Sequence, residues 1–97
     1  MLHIIESVDR SIRDALPQVI ARHRNAGPLT WRLLHRIQAE VLADVAATRR
    51  YAPHILRMAV APAVMQYPTD DSVVDFGESN AIPMAFAAIT DVWNRLH

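Results

Sequence analysis

The chain contains no cysteine and no lysine, and only two of its 97 residues are glycine. Without cysteine there can be no disulfide, no thiolate metal site and no thiol nucleophile; the redox compartment is left open, with the cytoplasm as the default expectation. Two glycines leave no room for the usual phosphate-cradling loop. Every fixed positive charge is an arginine. That suits planar, bidentate contacts at interfaces, although a GC-rich coding sequence produces the same bias. Long apolar runs are also missing. Arg57 and Pro62 divide the most apolar stretch, which falls short of the roughly 18 residues that a membrane span needs. The opening MLHIIESVDRSIRD has early acids and no basic start, so it does not read as a signal peptide and no membrane association is expected.

What is present is apolar and helix-forming. Hydrophobic residues make up 52% of the chain, enough for one core but not for two at this length. The abundance of alanine favours close helix packing over a sheet. These features predict an all-α fold: one domain over residues 1–97, a compact bundle of four or five helices with an acidic loop before the C-terminal helix.

Four stretches carry the pattern. From Leu2 to Asn25, the residues Ile5, Val8, Ile12, Leu16 (or Ala15) and Val19 step by three and four, with Pro17 predicting a kink or a split into two short helices. Pro28 to Arg50 is the longest run without an internal glycine or proline, and the chain is expected to organise around it. Thr30 is a candidate N-cap there, with a stripe of Trp31, Leu34, Ile37 or Gln38, Val41, Val45 and Thr48. Pro53 opens a third helix, HILRMAVAPAVMQY, apolar on nearly all sides, which places it either in the core or under another chain. Ile82, Phe86, Ile89, Trp93 and Leu96 mark the last helix, with Asn80 as the expected N-cap and Pro83 third in the helix. Between these last two, PTDDSVVDFGESN reads as a solvated acidic loop; its spacing does not fit a calcium loop, and its valine pair is too short to force a strand.

Charge is unevenly placed. Residues 1–57 carry nine arginines against five acids, and residues 58–97 carry one arginine against five acids, for a formal net charge of zero. On the second helix Arg32, Arg36, Glu40 and Asp44 stand four apart in one row whose polarity opposes the helix macrodipole. Laid antiparallel on its own copy across a two-fold axis, such a row becomes complementary. The chain is also too short to cover Ile55, Leu56, Met58, Val60, Val64 and Met65 by itself. Arg32, Arg36, Glu40, Asp44, Met58 and Met65 are therefore the candidate partner-binding residues of a non-catalytic interaction protein, a small subunit or inhibitor-like binder that forms a homodimer or joins a larger complex.

Catalytic patterns are lacking. The five histidines do not stand at metal-ligating helical spacing, and His35 with Glu40 or Asp44 is the one acid–base pair suggested, with no nucleophile beside it. No enzyme activity, metal or cofactor is expected. The alternative reading is nucleic-acid binding. Leu42 to Ala46 followed by Tyr51 to Leu56 resembles a helix-turn-helix over about twenty residues, with a proline opening the second helix, Arg50 in place of the turn glycine and Ala52 in place of the usual serine. That resemblance implies a DNA-binding regulator using Arg49, Arg50, His54 and Arg57.

Overall fold

In the computed structural model the apolar periodicities become, among the described residues, four helices: α1 (Leu2–Ala21), α2 (Trp31–Arg49), α3 (Pro53–Val60) and α4 (Met84–Leu96). The structure describes residues 2–49, 51–60, 67–77 and 82–97, with side chains from 6–48, 51–57, 67–77 and 82–97. The helices form a bundle. α1 is its hub, packing along both α2 and α4, which touch each other less. The expectation that α2 would be the organising element is corrected on this point. α1 carries apolar residues on a broad face, with both Leu16 and Val19–Ile20 sealed, and so serves two neighbours at once.

The inner faces follow the 3.6-residue period. Val8, Ile12, Leu16, Val19 and Ile20 of α1 meet Leu34, Ile37, Val41 and Val45 of α2 and Phe86, Ile89 and Val92 of α4 in one core, each essentially inaccessible to solvent. Burying a side chain of this size is worth about 1.5–3 kcal/mol, so the three stripes supply most of the drive to fold. Thr48 lies outside the stripe and is exposed.

α1 runs without interruption through Pro17, so of the kink or split expected there, the split into two helices does not occur. An internal proline deprives the carbonyl four residues earlier, here that of Arg13, of its intrahelical donor. Pro17 is exposed, and Leu16, Val19 and Ile20 on the opposite face anchor the turns around it. The chain leaves α1 through turns closed by the N–H groups of Arg22 and His23, and it reverses at Gly27, whose φ of 88° suits glycine.

Thr30 is the N-cap of α2: its hydroxyl accepts the Leu33 N–H at 3.2 Å. The acidic loop supplies the other caps. Ser72 and Asp70 carbonyls accept the N–H groups of Trp31 (3.0 Å) and Arg32 (2.8 Å), while Val74 N–H donates to the Leu29 carbonyl at 2.9 Å. Thr30 and Val73 thereby form an isolated antiparallel bridge. Residues 67–77 are thus a strap across the start of α2, where a freely solvated loop was expected from Pro68 and a helix end at Tyr67. Tyr67 stacks on Trp31 at 5.3 Å, Phe76 meets the same indole edge-on at 5.3 Å, and both rings contact Phe86. His35 completes the cluster, its ring against Phe86 and its Nε2–H donating to the Pro68 carbonyl at 2.8 Å.

α4 begins later than expected. Its N-cap is Pro83, without a side-chain cap, and Asn80 lies outside the described residues. The α4 stripe holds in the middle and frays at its ends: Ile82 and Leu96 are exposed, and Ala85, Ala88 and Val92 fill the core instead. α3 is peripheral. Ile55 and Leu56 are half-buried against the core while Pro53, His54 and Arg57 face solvent. Tyr51, just before α3, ties it to α1 through hydrogen bonds to the hydroxyls of Ser7 (2.6 Å) and Ser11 (3.2 Å).

Candidate interaction surface

In the charged row of α2, Arg32 and Arg36 are exposed and Glu40 and Asp44 half-buried, and tertiary structure answers the row's reversed polarity from within the chain. At the N-terminal half, Arg32 Nη1 lies 3.1 Å from Asp71 of the strap. In the C-terminal half, Arg22 reaches both Glu40 (3.5 Å) and Asp44 (3.3 Å), and His23 Nε2 lies 2.7 Å from Glu40. The residues just past the end of α1 thus meet the acids of α2, and the acids of the strap meet the base of α2. Among the described residues, Arg36 alone of the row has no ion-pair partner.

The strap's carboxylates also cap its own turns. Asp70 accepts the Ser72 hydroxyl and, at 3.0 Å, the Ser72 N–H; these bonds hold its carboxyl below the ordinary aspartate range. Asp75 accepts the Gly77 N–H at 2.8 Å, with Gly77 at a φ of 59°. A second charged surface runs along α1 and α4. It is a groove lined by Glu6, Asp9, Arg10, Arg13, Asp14 and Asp91, among others. Arg13 bridges Asp91 (2.8 Å) and Asp9 (3.1 Å) and is held above its ordinary pKa chiefly by the Asp91 hydrogen bond. The spacing of Asp9 and Arg13 signals the local half of this bridge. Nothing in the sequence signals Asp91.

The histidine expected as an acid–base partner is a different one. His35 is committed to Pro68, and it is His23 that meets Glu40. Among the described residues no cluster of His, Asp and Glu could hold a metal ion. One polar group has no visible use: Gln38 is buried on the inner face of α2, and its Nε2 has no hydrogen-bond partner among the described residues.

The helix-turn-helix segment occupies the far end of α2. α2 ends at Arg49 and α3 starts at Pro53, with His54 and Arg57 exposed on the first turns. The side chains of Arg49 and Met58, and the whole of Arg50 and Met65, lie outside the described residues.

Fold and surface together define a small all-α bundle whose polar residues staple helices and turns and whose remaining exposed charge lies on its flanks and ends. The chain belongs to a family described as a protein of unknown function, DUF2471, which matches residues 2–97. No curated protein matches the chain, and no solved structure does.

Proposed function

We propose that this protein is a non-catalytic protein–protein interaction module, a small subunit or inhibitor-like binder that associates with itself. The observation that carries the reading is the incomplete cover on α3. Ile55 and Leu56 remain half-buried, whereas the inner residues of α1, α2 and α4 are sealed. Val73 adds an exposed valine, 61% accessible, on the strap. Single exposed apolar residues are ordinary, but half-covered Ile55 and Leu56 are followed by the wholly apolar sequence MAVAPAVM, and contiguous apolar surface is what marks an association site. Met58 and Met65 are the candidate anchors; of the α2 row, Arg36 is available for orienting a partner, and Arg32 only by leaving Asp71. Because Glu40 and Asp44 are paired with Arg22 and His23, a two-fold contact along the α2 row would have to break existing bonds. The reading therefore leans on α3. Static light scattering tests it: mass should rise with concentration through tens of micromolar, and a constant monomer mass would refute self-association.

The second reading, a DNA-binding regulator, draws on the α2–turn–α3 geometry with His54 and Arg57 exposed and on a sequence free of acids from residue 45 to 69. Fluorescence anisotropy on mixed duplex DNA at two salt concentrations tests it. Each phosphate contact by Arg49, Arg50 or Arg57 should contribute about 0.9 to the log–log salt slope.

A further inference from the structure

The segments that flank α2 carry opposite charge, while Arg32 and Arg36 stand exposed on its own first turns. At its N-terminus the backbone bonds of Trp31, Arg32 and Val74 fix the strap in place, with Asp70, Asp71 and Asp75 all exposed. No arginine or lysine occurs from residue 58 to 94. At its C-terminus come Arg49, Arg50, His54 and Arg57, within a stretch that has no carboxylate from residue 45 to 69. Nineteen helical residues hold these ends apart by about 28 Å, in a molecule whose longest extent is 33 Å. The flanking charges agree with the macrodipole of α2, whereas its own row of Arg32, Arg36, Glu40 and Asp44 opposes it.

The same arrangement leaves charge unspent. Of the strap's described acids only Asp71 forms an ion pair, with Arg32, in which both side chains are more than half exposed; the carboxylates of Asp70 and Asp75 hydrogen-bond to the strap's own Ser72 and Gly77. Among the described residues His54 and Arg57 have no acidic partner. Each end also presents apolar surface: Val73 among the acids, half-buried Ile55 and Leu56 among the bases.

We infer that the occupant of each end is a second copy of this chain, joined head to tail: the strap of one protomer, through Asp70, Asp75 and Val73, seats on the start of α3 of the next, against His54 and Arg57. This rests on the self-association proposed above and names its surfaces. A contact between two unlike patches is heterologous, so it propagates until a ring closes. A contact of a few exposed charged residues and one valine is small, which puts it in the weak, salt-sensitive class.

Two variants with one blocked end each provide the test. Val73→Arg places a cation at the strap surface without touching the backbone bonds that hold it, and the double change His54→Glu with Arg57→Glu reverses the other end at exposed positions. Circular dichroism first confirms that both keep the wild-type helix content. In sedimentation velocity at low salt the wild type should form species beyond a dimer that dissociate at high salt, and each variant alone should be monomeric. An equimolar mixture should give a one-to-one dimer and nothing larger, because each variant retains the end that the other lacks. Variants that still associate alone would overturn the head-to-tail contact while leaving self-association standing, and a mixture that stays monomeric would also overturn it. A wild type that is monomeric at low salt yet binds duplex DNA through His54 and Arg57 would overturn both this contact and self-association, in favour of the second reading.

Discussion

His23 and Glu40 lie 2.7 Å apart, Nε2 to Oε2, and this contact fixes the residues after α1 to the middle of α2. The imidazole is largely covered, with 16% of its side chain accessible against 30% for the carboxylate. Because Arg22 reaches the same carboxylate at 3.5 Å, Glu40 is the centre of a three-residue staple with Asp44 at its edge. Glu40→Gln should lower stability by about 1 kcal/mol, as expected for a partly exposed hydrogen bond that involves charge. Urea denaturation measures this; an unchanged midpoint would show that the staple contributes nothing.

Phe86 is where the strap, α2 and α4 converge, with zero accessibility and ring contacts to Trp31, His35, Tyr67 and Phe76. Phe86→Ala should cost about 3–5 kcal/mol, a large part of the stability of a domain this size. Near-ultraviolet circular dichroism should lose the Trp31 signal along with the melting transition. Wild-type melting of this variant would disprove the core assignment.

Gln38 is buried with its amide nitrogen unpaired among the described residues. An unsatisfied buried donor costs about 1–3 kcal/mol, and a replacement of similar shape removes that cost. Gln38→Met should therefore raise the melting temperature, with a gain of roughly 1 kcal/mol. Destabilisation would mean that the amide has a partner or a packing role.

Asp70 ties stability to acid. Ser72 holds its folded pKa below the ordinary value, so its stabilising contribution is fully present above about pH 4, the unfolded aspartate range, and is lost as pH falls through the lower folded value. The stability difference between wild type and Asp70→Asn should be constant near neutrality and close as the solution is acidified below that range. Denaturation midpoints across acidic pH measure it, and a pH-independent difference would contradict the assignment.

The sequence revealed what short-range periodicity encodes. The stripes Val8–Ile12–Leu16–Val19, Leu34–Val41–Val45 and Phe86–Ile89–Trp93 are buried as their spacing requires, and Thr30 caps α2. What it hid depends on the path of the chain. Tyr67 looked like the end of the third helix and Phe76 like a loop residue, whereas both lie in the strap, because the ring they cover, Trp31, is more than thirty positions away. Glu40 and Asp44 looked available to a partner because Arg22 and His23 reach them only after the reversal at Gly27. The start of α4 was misplaced because Pro83 tolerates both the N-cap position and the first turn, and the local sequence does not choose between them.

Self-association through α3 is the central claim, and sedimentation velocity of the wild type beside the double change Met58→Asp, Met65→Asp tests it most directly. Across a dilution series from high to low micromolar, the wild type should shift from species of at least dimer mass toward monomer. The double change should remain monomeric with its helix signal intact. A wild type that is a single monomeric species at every concentration, or a double change that keeps the wild-type mass distribution, would contradict the account.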